Sequence, residues 1–267
     1  MNKMLAFLKR DWQSMLSYRF RFILQLIGIL LTVLFLFFVG KTFSGGFSIQ
    51  LERYGNDYFA FAILGMALST FVSTGLYSFS SQIRNAQVQG TLEALLITPN
   101  SVYTILIGNS LWSFLKSFFE SFFLIGVSIL ILKLSVDPGQ VALLFISLVL
   151  TFGAFISVGL VSASFTLVFK QGNPINAFFG ASSYFLGGLL FPVEVMPKGI
   201  QWISKLLPLT HSSKIVREIL LVSPQDRQIL TSLLFLFLFT ALVGPLSLYI
   251  FHHALKRAKK DGSLVQY

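Results

Sequence analysis

A long stretch of the chain, Phe22 to Gly40, contains no charged residue and has the sequence FILQLIGILLTVLFLFFVG. A helix needs about 20 mainly apolar residues to cross the hydrocarbon core of a bilayer. Arg21 precedes the stretch and Lys41 follows it, so charges stand at both of its ends. No cleavage site with small residues follows, and we therefore expect a membrane anchor rather than a removable signal peptide.

Five further apolar stretches repeat this pattern, and the composition agrees with a membrane protein. Charged residues make up only 11% of the 267-residue chain, whereas soluble domains carry about a quarter. The second stretch contains Gly65 and Gly75 among many Ser and Thr residues, which predicts close packing inside a helix bundle. We expect an all-α membrane protein with a single transmembrane domain over residues 1–267. Its six transmembrane helices are predicted at about 22–40, 58–80, 101–132, 141–169, 177–192 and 230–251.

Two regions carry amphipathic patterns that are too short to span a bilayer. In residues 1–21, apolar side chains recur at steps of three and four, which predicts an interfacial helix in the headgroup plane. A positive leader that only sets topology would also explain that pattern. Residues 193–222 predict an external hairpin of two short helices between spans five and six. In the second of these helices, Ile215 and Ile219 define an apolar face, and Arg217 and Glu218 are expected elsewhere.

The distribution of charge predicts the topology. With six spans, both termini lie on one side of the membrane, and the loops on that side carry eleven basic and three acidic residues. The loops on the other side carry eight basic and six acidic residues. Because cytoplasmic loops are enriched in Lys and Arg, both termini are predicted to be cytoplasmic, in the inner membrane. The net charge of +10 then indicates contact with anionic lipid rather than with nucleic acid.

Catalytic and metal-binding patterns are missing from the sequence. The chain has no cysteine, and its three histidines do not have the spacing of a zinc site. The sequence GKT at Gly40 to Thr42 lacks the earlier glycine of a phosphate-binding loop, because Phe35 stands at that position. We therefore expect neither an enzyme nor a nucleotide-binding chain.

Lys116 and Glu120 are the charged residues that fall within a predicted span. Residues four apart lie on the same face of a helix, and a charge in hydrocarbon costs about 2.5–3.5 kcal/mol even on lenient scales. Two interpretations follow. The two side chains either neutralise each other as a structural pair, or they form part of the wall of a substrate pathway.

The stretch Asn85 to Asn100, NAQVQGTLEALLITPN, lies between spans two and three and is predicted to be cytoplasmic. Gly90 interrupts the chain, Thr91 is a candidate N-cap, and Glu93 suits the positive end of a helix dipole. Leu92 and Leu96 lie on one face of this short helix. The helix either connects two spans tightly or presents one face to a cytoplasmic partner, and the pattern alone leaves both open.

Two motifs resemble the ABC-2-type permeases, the membrane subunits of ABC exporters. QGTLEALLITPNS resembles the cytoplasmic loop of that family, and GGLLFPVEVMPKGIQWISKLLPLTHSSKIVREILL is similar to its second signature. The resemblance covers about residues 22–222, with the two motifs in the family order. It implies two permease copies, alike or paralogous, that work with two P-loop ATPase subunits. ATP and Mg would then bind to the ATPase, and no cofactor to this chain.

The resemblance also implies roles for particular residues. The segment from about 84 to 98 would be the coupling helix that docks in the ATPase, and the N-terminal helix would add a second contact. The hairpin would form the external gate. Gln87 and Gln89 stand where many family members carry a charge just before Gly-Thr-Leu-Glu, so the polarity of docking is expected to differ. The docking residues inferred in this way are Arg84, Gln87, Gly90, Thr91, Leu92, Glu93 and Leu96.

The implied function is export of a hydrophobic or amphiphilic substrate: a drug-like compound, a lipid or a lipid-linked glycan. Two alternatives come from other classes of protein. An ion-coupled secondary transporter would work without an ATPase, and a membrane assembly factor would move no solute.

Overall fold

The computed structural model describes residues 3–43, 51–92, 94, 101–169, 174–222 and 226–260, and every structural statement below refers to these. Within them the chain is all-helical, with two short 3-10 turns at Glu52–Tyr54 and Val193–Val195. The α-helices are α1 Lys3–Ser17, α2 Arg19–Phe43, α3 Tyr58–Val88, α4 Val102–Leu132, α5 Pro138–Phe169, α6 Pro174–Leu186, α7 Lys198–Ser204, α8 Pro208–Leu221 and α9 Asp226–Lys260.

Five helices are long and apolar enough to cross a membrane. They correspond to α2, α3, α4, α5 and α9 and confirm five of the six predicted spans by length and composition. Large apolar side chains on their outer surface are exposed, including Leu30 of α2, Leu130 of α4 and Leu242 of α9. An apolar outer surface of this extent is what a hydrocarbon solvent requires. The chain is therefore an integral membrane protein.

The predicted fifth span is wrong in its extent. Helix α6 has 13 residues and ends at Leu186, and so it rises only about 20 Å, whereas a hydrocarbon core is about 30 Å thick. The prediction continued the helix to Pro192. Gly187 and Gly188 end it earlier, and Gly188 has a φ of +72°, which an L-residue with a side chain rarely adopts.

Helix α3 is the centre of the bundle. In the most apolar 18-residue stretch of α3, 78% is buried inside the protein, whereas only 11% of the corresponding stretch of α2 is buried. A Cβ added to Gly159 of α5 would collide with the carbonyl oxygen of Gly75 in α3, so these backbones approach as closely as small residues permit. Thr70 of α3 forms a 2.6 Å hydrogen bond with Ser121 of α4. The prediction of a tightly packed second span is confirmed.

Helix α1 is present as predicted and packs against the first turns of α4. The ring of Phe7 lies over Gly108, and Arg10 donates a 3.1 Å hydrogen bond to Asn109. Trp12 meets Trp112 edge to face at 5.8 Å. These contacts fix α1 beside the start of α4, while its position in the headgroup plane stays a prediction.

Candidate functional site

The candidate site lies at one end of the bundle, where α3, α5 and α9 end and α4 begins. We call it the basic end because it carries Arg84 and the lysines at the end of α9. Helix α3 stops at Val88, and Gly90 follows with a φ of +66°. The Thr91 amide closes the turn by donating to the carbonyl of Ala86 at 2.9 Å. The predicted break at Gly90 is confirmed.

The predicted docking residues divide into three groups. Glu93 and Leu96 lie outside the described residues, as do residues 95–98 of the predicted coupling helix. Gly90 and Thr91 are exposed, and Arg84 is half-buried. Gln87 and Leu92 are buried, with exposed fractions of 5% and 6%.

Gln87 faces the interior of the bundle, which argues against the predicted contact of its side chain with the ATPase. Its Nε2 donates a 3.2 Å hydrogen bond to the carbonyl of Thr166 in α5. The physical reason is the phase of α3: Ile83 and Ala86 are also buried, and Gln87 continues their stripe at a helical spacing. Gln87, which stands in place of the expected charge, therefore links α3 to α5 by a hydrogen bond inside the bundle.

Leu92 lies at a junction of four helices. It lines a cavity of about 50 Å³ together with Ile83 of α3, Leu106 of α4, Leu167 of α5 and Leu255 of α9. A void of this size holds no drug-sized ligand. Leu92 also belongs to the buried apolar cluster that contains Ile83, Leu106 and Leu255. A displacement of a side chain within such a cluster is passed to its neighbours, because protein interiors compress little. Leu92 is thus an internal anchor of the segment that follows Gly90.

Lys116 and Glu120 lie on α4 beyond the residues that contact α1. Glu120 is half-buried and accepts a 3.4 Å hydrogen bond from Gln25 Nε2 of α2. Lys116 is exposed and stands one helical turn beyond Trp112, which α1 contacts. One turn is about 5 Å, so the ammonium group can reach the level of α1 by extending along the helix.

At the opposite end of the bundle, sequence analysis missed a buried charge. Arg217 of α8 is 3% exposed and donates hydrogen bonds to the carbonyl oxygens of Phe61, Gly188 and Leu189, two of them at 3.0 and 2.9 Å. Its guanidinium carbon lies 3.4 Å from the ring centroid of Phe61. We call this arrangement the Arg217 clamp.

Arg217 and Glu218 were predicted to lie off the apolar face of α8, and they are nevertheless buried, as are Val216 and Ile219 around them. Helix α8 contacts α3, α5 and α9, so more than one of its faces is covered. The flanking apolar residues on both sides of the Arg-Glu pair were the signal in the sequence.

A comparison with protein families decides the identity of the fold. The family model described as "ABC-2 type transporter" matches residues 2–221, which is most of the chain.

The chain belongs to the ABC-2 type transporter family. The match spans α1 to α8 and leaves α9 outside the matched residues.

Curated relatives are membrane permeases and nodulation proteins. Nodulation protein J of Rhizobium meliloti is 26% identical over 178 residues, which cover 64% of each chain. The "probable multidrug ABC transporter permease YbhR" of Escherichia coli is 24% identical over 196 residues, which cover 73% of this chain and 53% of YbhR. The "inner membrane transport permease YadH" of E. coli is 23% identical over 163 residues. The chain thus spans less than two thirds of the length of each of these three relatives.

Proposed function

We propose that this ABC-2 family member is the permease of an ATP-driven exporter and works with a separate P-loop ATPase. The observation that carries the proposal is the buried position of the Leu92 side chain. A segment set off from α3 by the positive-φ Gly90 inserts one leucine among α3, α4, α5 and α9. A push on that segment would reach four helices at once. The family match and the relative named as an ABC transporter permease supply the kind of partner that would push.

The ATPase would contact the exposed part of this segment. Gly90 and Thr91 are exposed, and Arg84 is half-buried, whereas Gln87 and Leu92 point inward. We therefore assign contact with the ATPase to Arg84, Gly90 and Thr91, and we keep Glu93 and Leu96 in this set on the resemblance alone. Gln87 and Leu92 receive the role of holding the segment on the bundle.

The topology that we propose has six crossings with both termini in the cytoplasm. The short helix α6 would complete its crossing through the non-helical residues that follow it. Such backbone is tolerated at membrane depth where protein buries it. Leu189 is 1% exposed, and the Arg217 clamp satisfies the carbonyl groups of Gly188 and Leu189. Helices α7 and α8 would then form the external gate.

The substrate that we propose is hydrophobic or amphiphilic: a drug-like compound, a lipid or a lipid-linked glycan. The names of the relatives, nodulation protein J and a probable multidrug permease, suggest this range. A second permease copy, identical or paralogous, would complete the pathway. Lys116 and Glu120 are retained as a proposed part of its wall near the level of α1.

The test is co-purification with the P-loop ATPase encoded by a neighbouring reading frame. We expect Glu93→Arg combined with Leu96→Asp to abolish co-purification while the permease still inserts. The matched control is Lys198→Glu with Ile203→Asp, because both residues are exposed on or near α7 at the opposite end.

Retention of the ATPase and of its substrate-stimulated hydrolysis by the first variant would refute the docking assignment. Transport that depends on an ion gradient and needs no ATPase would instead indicate a secondary transporter. Absence of solute flux in the folded protein, both with and without the ATPase, would indicate an assembly factor.

A further inference from the structure

The end of α9 is amphipathic, with a basic exposed side. Phe251, Ala254, Leu255 and Ala258 are buried against the bundle. The side chains on the other side are exposed and carry only imidazole or positive groups over residues 252–260. We call these exposed residues the basic extension: His252, His253, Lys256, Arg257, Lys259 and Lys260.

The lysines of the basic extension lie well beyond the apolar part of α9, which would place them past the lipid headgroups if that apolar part fills the hydrocarbon core. Arg227 and Tyr249 are exposed near the two ends of the apolar part of α9, and about 33 Å of helix separates them. That distance matches a hydrocarbon core of about 30 Å, and tyrosines are enriched at its boundary. Lys256 and Lys260 then lie about 10 and 16 Å further along the axis. The headgroup layer is only about 5–8 Å thick on each side, and a typical helix tilt of about 20° changes these depths little.

The basic extension is adjacent to the proposed docking segment. Leu255 and Phe251, on the buried side of the same helical turns, line the cavity that Leu92 also lines. The Phe251 ring meets Tyr103 of α4 edge to face at 5.6 Å. A protein that sits on the segment after Gly90 would therefore lie beside Lys256, Lys259 and Lys260.

We propose that the basic extension is a second docking surface, which binds an acidic patch of the ATPase subunit. The inference rests on the proposed function and adds to it a contact outside the residues that the family model matches. Positive groups held beyond the headgroups attract a negative protein surface over about 10 Å at moderate salt. Such contacts at an interface rim chiefly raise the association rate and make binding sensitive to salt.

The experiment uses the full-length permease in nanodiscs made only of zwitterionic phosphatidylcholine. The variant Lys256→Glu/Lys259→Glu/Lys260→Glu reverses three exposed charges. Binding of the neighbouring P-loop ATPase is measured by surface plasmon resonance at low and at high salt. We expect roughly tenfold weaker binding at low salt, mostly from slower association, and a salt dependence that is largely lost.

Two control variants distinguish an effect of charge at these positions from an effect on folding and from a general effect of charge reversal. Lys256→Arg/Lys259→Arg/Lys260→Arg keeps the charge and should bind like the original protein. Lys198→Glu/Lys205→Glu reverses two exposed charges at the opposite end and should leave binding unchanged. Thermal unfolding of the triple variant is expected to match that of the original protein, because the altered side chains are exposed.

Three results would overturn the inference. Unchanged binding and salt dependence in the glutamate variant would refute it while the proposed function stands. A loss that appears in nanodiscs with anionic phosphatidylglycerol, but not in pure phosphatidylcholine, would assign the extension to lipid headgroups. If the original permease itself binds no ATPase, the proposed function fails, and this inference fails with it.

Discussion

The two ends of the bundle differ in how deeply their charged side chains are buried. At the end that carries Arg217, which we call the outer end because the proposed topology places it outside, the Arg217 clamp buries a full positive charge. It joins α8 to the start of α3 and to the residues after α6. At the basic end, the lysines of α9 are exposed, and of the predicted docking residues Leu92 and the neutral Gln87 point inward. The outer end is thus fastened by a buried charge, whereas the lysines of α9 lie on the surface of the basic end. This difference supports the proposal that a partner acts on the basic end.

The largest effect should come from removing the clamp. In Arg217→Met, the carbonyl groups of Phe61, Gly188 and Leu189 lose their donors in a buried setting. Each unsatisfied buried group costs about 1–3 kcal/mol, so we expect a loss of at least about 3 kcal/mol of unfolding free energy. Thermal unfolding in detergent measures it, and Arg217→Lys, which keeps the charge but fewer donors, should recover part of the loss. Equal stability of Arg217→Met and the original protein would remove the contrast between the two ends.

The next effect concerns the anchor at the basic end. Leu92→Ala removes packing at the four-helix junction, and we expect a stability loss of about 2 kcal/mol. Transport per ATP hydrolysed should fall further than stability accounts for, while ATPase binding is kept, because Leu92 does not face the partner. The measurement pairs substrate flux with hydrolysis in proteoliposomes. A variant that loses ATPase binding instead would place Leu92 in the contact surface.

A smaller effect tests the corrected role of Gln87. In Gln87→Leu, the hydrogen bond to Thr166 is lost and the unfolding free energy should fall by about 1 kcal/mol. ATPase affinity should not change, since the side chain is buried. Calorimetry and a binding titration on the same preparation separate the two quantities. A drop in affinity without a drop in stability would restore the original prediction for this residue.

The smallest effect is a pH dependence at the outer end. His211 stacks on Phe235 at 3.9 Å, and burial lowers the pKa of His211 below its usual 6.5. The unfolded chain therefore binds this proton more readily than the folded one. The contribution of neutral His211 to the unfolding free energy is complete above about pH 6.5. It is lost as the pH falls through the lower pKa of His211 in the folded state. The melting temperature should therefore rise with pH up to about 6.5, and His211→Phe should reduce the slope of this rise. An identical slope in the variant would exclude His211 as the source.

Much of the fold could be predicted because membrane spans follow from local composition. Five long apolar stretches became helices α2, α3, α4, α5 and α9. The helix of the fifth predicted span was predicted to end too late, because hydropathy continues through Leu189 and Leu190 whereas Gly188 ends the helical backbone. The break at Gly90 was predictable because glycine marks such turns.

The site was less predictable, because burial is a tertiary property. Gln87 and Arg217 are polar in sequence, and their partners, Thr166 and Phe61, lie far away along the chain. A helical phase count over Ile83, Ala86 and Gln87 would have placed Gln87 inside. No local pattern names the carbonyl oxygens that receive the Arg217 guanidinium.

The central claim is that the segment after Gly90 touches the ATPase, and single-cysteine crosslinking tests it most directly. The chain has no cysteine, so Ala94→Cys, at an exposed position in that segment, gives one thiol without a background. We predict a crosslink between Cys at this position and the ATPase subunit, and none from the matched variant Ile200→Cys on α7. No crosslink from position 94, or an equal one from position 200, would contradict the account.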